Sequence, residues 1–393
     1  MGIRESMKRN KNLYMTYCLL KKAFPIWFVY LLFLLSKDLN YTQAILLDSF
    51  AAAMALVLEV PSGILADRFN RKTILIVGEV IITLNFCVLY FSDTYSAFIT
   101  GALLSGVGEA LVSGTGEALI YDTFVEQKEE EDYLEFNANI NKWGFIVVAI
   151  VTLSASYMFD MWNSLPMLLT IIMQVGCLVC ICNLKETQVV KKNECKKFSF
   201  RTELKIQKEN IRKIFETKGL IEIFLLYVLM IEIISNINYS TQAYLPSLGL
   251  EIKYLGGIMF VFNLASALGA KVAKKVNANG RMWVTLYAVI LFVLSLENIY
   301  LTIAALICSR IINGFVWPVL SNETNKRIES SERATMLSYQ NLFSSIMPLF
   351  IDPIIGIGFD NYGISKTYFI MGLMLVVMCA MWLWRARNNT SFN

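Results

Sequence analysis

The stretch Gly63-Ile-Leu-Ala-Asp67-Arg68-Phe-Asn70-Arg71-Lys72 lies between two apolar segments of about twenty residues each, the length of a membrane span. Charged and turn-forming residues are concentrated in it. A soluble protein has little use for this arrangement. A membrane protein needs it wherever the chain leaves one helix, turns in water and enters the next helix. The stretch therefore predicts a turn between two membrane-spanning helices.

The composition of the whole chain agrees with a membrane protein. Hydrophobic residues make up 56% of the 393 residues and charged residues only 17%, and the mean hydropathy is +0.53. Soluble domains typically carry about 25% charged residues. We therefore expect the lipid bilayer as the surroundings of this chain, and no nucleic-acid partner.

The apolar runs predict an all-α membrane protein with twelve transmembrane helices in two pseudo-symmetric six-helix bundles. The twelve predicted spans are 14–36, 41–65, 72–92, 96–120, 141–160, 164–183, 219–240, 253–272, 282–297, 300–320, 335–356 and 365–385. A polar, mostly basic segment follows the sixth span. It divides the chain into an N-terminal six-helix half (1–184), a basic cytoplasmic linker (185–218) and a C-terminal six-helix half (219–393).

The positions of the basic residues predict the orientation. With the N-terminus in the cytoplasm, the cytoplasmic segments hold all of the 35 Lys and Arg residues except three in outer loops (Lys37, Lys253 and Lys366) and three within spans (Lys21, Lys22 and Arg310). Cytoplasmic loops of membrane proteins carry an excess of Lys and Arg. We therefore expect a multi-pass protein of the cell membrane with both termini in the cytoplasm.

The pattern G-x-x-x-D-R-x-x-R-K, preceded by Glu59-Val60-Pro61-Ser62, resembles the loop between helices 2 and 3 of the major facilitator superfamily, in particular its bacterial efflux-type members. The segment Arg333-Ala-Thr335-Met-Leu-Ser338 looks like the same group. The resemblance implies a gating loop that latches the two halves on the cytoplasmic side, formed by Gly63, Asp67, Arg68, Arg71 and Lys72. One departure is Asn70, where the family usually has glycine. Asn tolerates a left-handed backbone, so we expect the turn to survive.

Two other family signatures are missing. Aligned on Gly106, the arginine and glutamine of the helix 4 signature R-x-x-Q-G are replaced by Ala102 and Ser105. A similar pattern stands in span 10, where Arg310-Ile-Ile-Asn313-Gly314 aligns Gly314 with Gly106. The glycine-proline signature of drug antiporters in helix 5 is also absent. Both absences argue against proton-coupled drug export specifically and leave the expected fold untouched.

Four charged residues inside predicted spans are candidates for coupling or substrate binding: Glu109, Glu117, Glu232 and Arg310. Glu109 and Arg310 lie about thirteen and ten residues into their spans, near the bilayer midplane at 1.5 Å per residue. Glu117 follows Glu109 by eight residues, close to the same helical face. Charges at such depth are costly unless they face a wet cavity or a partner. We hypothesise that Glu109 binds the coupling proton or a cationic group, and that Arg310 modulates Glu109 or binds an anion.

Other polar residues have simpler interpretations. Lys21, Lys22, Glu79 and Asp122 lie nearer to span ends, where a structural ion pair or snorkelling to the interface is expected. The thiols of Cys177-x-x-Cys180-x-Cys182 lie in an apolar span of a chain without histidine. They are interpreted as packing residues, and no metal site is expected.

The sequence thus favours a secondary active transporter of a small solute, most simply a proton-coupled exporter (an antiporter for drug or metabolite efflux) that works by alternating access. Two alternatives stay open: a proton-coupled importer of a small nutrient, and a non-transporting membrane sensor of the same fold. An enzyme is not expected, because no nucleophile–base pair, phosphate loop or metal-ligand set is visible. We expect no cofactor, a proton as the coupling ion, and a monomer.

Overall fold

The computed structural model describes residues 3–186, 220–276, 280–328 and 333–389. In these ranges the secondary structure is helical, with no strand, which confirms the all-α prediction there. Most of the predicted linker lies outside the described residues. The chain divides into two compact units, Met1–Glu194 with Ile252–Gly257, and Cys195–Glu251 with Ile258–Asn393.

In its described residues, the first unit holds eight α-helices: α1 Ile3–Lys22, α2 Tyr30–Leu35, α3 Tyr41–Arg68, α4 Arg71–Phe91, α5 Tyr95–Val112, α6 Thr115–Gln127, α7 Tyr133–Met161 and α8 Leu165–Cys182. Helix α3 begins with a capping box. The Asn40 side chain accepts from the Gln43 backbone at 2.8 Å, and the Gln43 side chain accepts from the Asn40 backbone at 3.0 Å. These reciprocal bonds satisfy two backbone donors that the first helical turn leaves unpaired.

Two predicted spans of this unit are broken rather than continuous. The first is interrupted by a 3₁₀ turn, Pro25–Phe28, between α1 and α2. The fourth breaks at Ser113–Gly114, where Gly114 adopts a positive φ of 70° between α5 and α6. A left-handed residue ends the regular helix, and glycine adopts this conformation without a Cβ clash. The break lies within an apolar segment of membrane length, Tyr95–Gln127.

The second unit holds most of the other six α-helices of the described ranges: α9 Leu220–Ser247, α10 Leu255–Val272, α11 Gly280–Leu294, α12 Ile299–Arg327, α13 Arg333–Ile346 and α14 Pro348–Asn389. Helix α14 breaks at Gly363, which has a φ of 81°. A Cβ placed on Gly358 would come within 2.9 Å of Thr367, so the two sides of this break lie against each other. Glycine again allows the sharp turn.

Glycines permit the closest helix crossings in both units. A Cβ on Gly106 of α5 would come within 2.3 Å of the Ala51 carbonyl oxygen of α3. A Cβ on Gly314 of α12 would come within 2.0 Å of the Ser266 carbonyl oxygen of α10. The two glycines that align in the sequence therefore serve the same purpose, since each lets a helix approach the backbone of its neighbour.

Nine apolar segments within the described residues are long enough to cross a membrane, and 282–294 is a shorter apolar helix. The predicted number of twelve stays a prediction. The counts differ because the broken first span contains no single long apolar helix, whereas 342–381 joins parts of two predicted spans. The arrangement in two six-helix bundles also stays a prediction.

Candidate functional site

Glu79 of α4 is the centre of a buried polar network in the first unit. Its side chain is fully buried. Tyr17 of α1 donates its hydroxyl hydrogen to Oε1, and Lys21 Nζ lies 3.0 Å from the same oxygen. Gln174 of α8 donates to Oε2 at 2.6 Å. Both carboxylate oxygens are therefore satisfied, and the network joins α1, α4 and α8. This geometry matches the ion-pair interpretation of Lys21 and Glu79 and excludes snorkelling of Glu79.

Glu109, the leading candidate from the sequence, lies on α5 one turn before the break at Ser113–Gly114. Its backbone carbonyl accepts the hydrogen bond of Ser113 N at 2.8 Å, which closes the last turn of α5. Its side chain is exposed and interacts electrostatically with Lys21. Among the described residues, no side chain forms a hydrogen bond or an ion pair with the Glu109 carboxylate. Glu109 is therefore an exposed carboxylate without a hydrogen-bond or ion-pair partner among the described side chains.

Glu117 lies in the first turn of α6, beyond the break, and its side chain is also exposed. It interacts electrostatically with Tyr14 and Cys18 of α1. The positive end of the α6 dipole stabilises a carboxylate at this position. The expectation that Glu109 and Glu117 share one face of a continuous helix was wrong, because the helix is interrupted between them. Both nevertheless lie near α1.

Lys22 has neighbours that the sequence did not reveal. Its Nζ lies 3.4 Å from Asn141 Oδ1 of α7, and a Cβ on Gly144 would come within 2.4 Å of Lys22 Cδ. The missing side chain of Gly144 therefore leaves the space in which Lys22 lies.

Tyr17 and Gln174, which contact Glu79, were also not predicted from the sequence. A lone glutamine in an apolar span such as 164–183 is the one sequence signal that could have found Gln174.

The predicted gating loop is mostly helical. Helix α3 continues to Arg68, so only Phe69 and Asn70 separate it from α4. Among the described residues, no atom lies within 4 Å of a Cβ built on Gly63, so the close approach expected of this glycine is not seen there. Asn70 has φ −63°, so the turn survives without the left-handed backbone that Asn tolerates. The side chains of Asp67 and Arg68 lie outside the described residues.

Arg71 and Lys72 have partners within the first unit. The Arg71 guanidinium pairs with Asp122 of α6 and donates to the Ala118 carbonyl oxygen at 2.9 Å. The Glu186 carboxylate accepts from the backbone nitrogens of Arg71 and Lys72 at 3.2 and 2.9 Å. A carboxylate at the N-terminus of a helix stabilises its unpaired donors. The start of α4 is thus fixed to α6 and to the end of the first half, while the latch between halves stays a prediction.

In the second unit, Glu232 of α9 lies near the carboxylate of Asp352, which was not among the candidates chosen from the sequence. Glu232 is only 4% exposed, and both of its carboxylate oxygens lack a hydrogen-bond donor in the described part of the chain. Asp352 of α14 interacts with Glu232 electrostatically. Asn236, one turn after Glu232, donates to Asp352 Oδ1 at 2.7 Å. Asp352 could have been found from the sequence, because it is an aspartate within a predicted apolar span, next to Pro353.

Arg310 of α12 lies over an aromatic ring. The centre of its guanidinium is 5.6 Å from the centroid of the Phe262 ring, and Tyr287 interacts with it electrostatically. No acceptor for the guanidinium is found among the described side chains, so a cation–π contact is what holds it. Arg310 and Glu109 belong to different units, and the hypothesis that one modulates the other stays a prediction.

Long apolar helices with buried polar networks inside them define a polytopic α-helical membrane protein. The family model of the Major Facilitator Superfamily matches residues 15–297. The chain therefore belongs to the Major Facilitator Superfamily, a family of transporters, which confirms the resemblance seen in the sequence. This fold implies a small-molecule substrate and a lipid environment.

Individual relatives are distant. An uncharacterized transporter of the same superfamily, YxaM of Bacillus subtilis (strain 168), is 22% identical over 362 residues, which are 90% of this chain and 89% of the relative. Among solved structures, the nucleoside transporter NupG has a TM-score of 0.76 at 14% identity and 98% coverage of both chains. A bacterial homologue of the human lysosomal transporter Spinster, in an inward-facing and occupied conformation, has a TM-score of 0.67 at 12% identity, covering 97% of this chain and 96% of that one. These structures share the fold.

Proposed function

We propose that the protein is a secondary active transporter that exports a small solute in exchange for protons. Membership of the family shows that the protein belongs to a class of transporters. The exchange for protons and the outward direction are what we propose. The observation that carries them is Glu109, an exposed carboxylate on a helix of membrane length. Its neighbouring cation, Lys21, is already paired with Glu79. The charge of Glu109 is thus left for a proton or a cationic group.

A proton and a cationic group compete for one carboxylate, and this competition is the physical basis of exchange. When Glu109 is ionised it attracts the cationic group of a solute, and when it is protonated that attraction is lost. Rocking of the two halves about a central site would expose the carboxylate to each side in turn. Glu117 and Glu232 are further proposed coupling groups. Arg310, held by an aromatic ring, is proposed to bind an anionic part of the solute.

We further propose a monomer in the cell membrane with both termini in the cytoplasm, on the basis of the Lys and Arg distribution. In this orientation the turn between α3 and α4 faces the cytoplasm. We propose that the halves are latched, while the transporter opens outward, by Gly63, Asp67, Arg68, Arg71 and Lys72. The contacts of Arg71 with Asp122 and Glu186 support a rigid base for such a latch.

A proteoliposome assay tests the proposal. Vesicles that contain the purified protein and the pH-sensitive dye pyranine are placed under a pH gradient. Ethidium is the cationic probe, and uridine is included because the nucleoside transporter NupG shares the fold. We expect probe movement against the proton gradient in the wild-type protein. Glu109→Gln should reduce this movement to background because an amide does not bind a proton. Asp160→Asn, which changes an exposed carboxylate at the end of α7, should leave it unchanged.

Three outcomes would contradict the proposal. Full proton-driven exchange in Glu109→Gln would remove the role of this residue. Proton influx together with probe uptake in the same direction would identify an importer of a small nutrient. Binding of a probe without any proton flux would identify a sensor. The pyranine signal and the probe movement distinguish exchange from uptake in the same direction, and probe binding without a pyranine signal indicates the sensor.

A further inference from the structure

Glu232 and Asp352 form a buried pair of carboxyl groups in the second unit. Glu232 is nine-tenths buried or more, and neither of its oxygens meets a hydrogen-bond donor among the described residues. The Asp352 carboxyl group interacts with it electrostatically, and the side-chain amide of Asn236 contacts both residues. Asp352 is half-buried, so the Glu232 side of the pair is closed and the Asp352 side is less so.

Asn236 holds the pair in place. Its Nδ2 donates both to Asp352 Oδ1 at 2.7 Å and to the backbone carbonyl oxygen of Glu232 at 2.9 Å. The two hydrogens of the amide group are therefore used. The amide orients the Asp352 carboxyl group and leaves nothing to donate to the Glu232 side chain. Asn236 thus acts as a positioning residue for the pair.

The surrounding helices supply no counter-ion among their described side chains. The charged residues of α11 and α13 are Arg281 and Arg333, and their side chains lie outside the described residues. On α12, Arg310 lies over Phe262, and Glu323 pairs with Lys326. On α14, Asp360 and Lys366 are exposed. Asp352 is the one charged group described as acting on Glu232.

We propose that Glu232 and Asp352 together bind one proton, which lies between the two carboxyl groups. Two ionised carboxylates side by side repel each other, and a buried carboxylate without a donor is costly. A single proton removes both costs, because the protonated group becomes a donor and its neighbour the acceptor of a strong O–H···O⁻ bond. Water delivers the proton at Asp352 and receives it there again. The claim that this proton is exchanged for solute rests on the proposed function.

Infrared spectroscopy of the purified protein tests the site without any transport. A shared proton produces the C=O stretch of a protonated carboxyl group, which shifts in D₂O and disappears as pH is raised. We expect this band in the wild-type protein and its loss in both Glu232→Gln and Asp352→Asn, because each introduced amide donates to the remaining carboxylate. Asp360→Asn, an exposed carboxylate on the same helix α14, should keep the band.

Absence of the band in the wild-type protein at every pH, or its persistence in both variants, would overturn the proposal. Loss of the band on adding NaCl but not KCl at constant pH would identify a sodium site and overturn it too. The outcome is independent of the liposome assay. A band that is lost in the variants supports the proton site even if no solute is exchanged. A missing band beside intact proton-driven exchange refutes the site and leaves the proposed function in place.

Discussion

Glu79 and Glu232 are both buried glutamates on long helices, and their surroundings are opposite. Glu79 in the first unit is fully buried and receives hydrogen bonds from Tyr17 and Gln174 and the charge of Lys21. Glu232 in the second unit is 4% exposed and has no donor for either oxygen among the described residues. Its charged neighbour, Asp352, has the same sign.

The difference separates a structural charge from a functional one. A buried ion pair with all its hydrogen bonds made is already stable in its ionised form, and it fixes the helices that it joins. A buried carboxylate that lacks donors is stable only if it gains a proton or a ligand. The same residue type therefore serves structure in one unit and, as we propose, proton binding in the other.

The largest effect is expected from Glu79→Gln. This change leaves Lys21 without its counter-charge, and breaking a buried ion pair costs about 3–5 kcal/mol of the free energy of unfolding. SDS-induced unfolding in mixed micelles, followed by tryptophan fluorescence, measures this loss. The double variant Glu79→Gln with Lys21→Met serves as the control and should recover much of it. Wild-type stability of the single variant would show that the network does not hold α1, α4 and α8 together.

A smaller effect is expected from Asn236→Ala. The change removes the donor to Asp352, and a hydrogen bond to a charged group contributes about 1.5–3 kcal/mol. The same unfolding measurement gives the loss of stability. Asn141→Ala, which removes the long 3.4 Å contact with Lys22, is the matched control and should cost less. Equal losses in the two variants would mean that Asn236 does not position the carboxyl pair.

The smallest effect is expected from Glu232→Gln. The introduced amide donates to Asp352 in place of the shared proton, so the free energy of unfolding should stay within about 1 kcal/mol of the wild-type value. The comparison with Glu79→Gln is direct, since both variants replace a buried glutamate by the same amide. A loss of stability as large as that of Glu79→Gln would make Glu232 a structural charge and erase the contrast between the two units.

Much of the architecture was predictable because hydropathy is a local property. The apolar runs around Gly63–Lys72 gave α3 and α4 to within a few residues. The details of the turn were not predictable. Asn70 adopts an ordinary φ of −63° because α3 continues to Arg68 and leaves two residues for the connection. Helix ends depend on local capping and packing, which a count of apolar residues does not contain.

The sequence identified candidate site residues by their depth in the predicted spans alone. It did not predict their roles. Glu109, Glu232 and Arg310 were selected because charges are rare within apolar spans. The same reasoning grouped Glu109 with Glu117 on one face, which the break at Gly114 contradicts. It passed over Asp352, although this aspartate also lies within a predicted apolar span. That Asp352 lies near Glu232 depends on the packing of α9 against α14, which the local sequence does not contain.

The sequence by itself determined that the chain is a membrane protein of the Major Facilitator Superfamily, because membrane insertion depends on runs of about twenty consecutive residues and the family motif is contiguous. Only the tertiary structure decided which charges meet. Tyr17 and Glu79 are 62 positions apart, and Glu79 and Gln174 are 95 positions apart. Whether such side chains meet depends on which helices are neighbours and how each is rotated, and this packing decides which glutamate is satisfied and which still needs a proton.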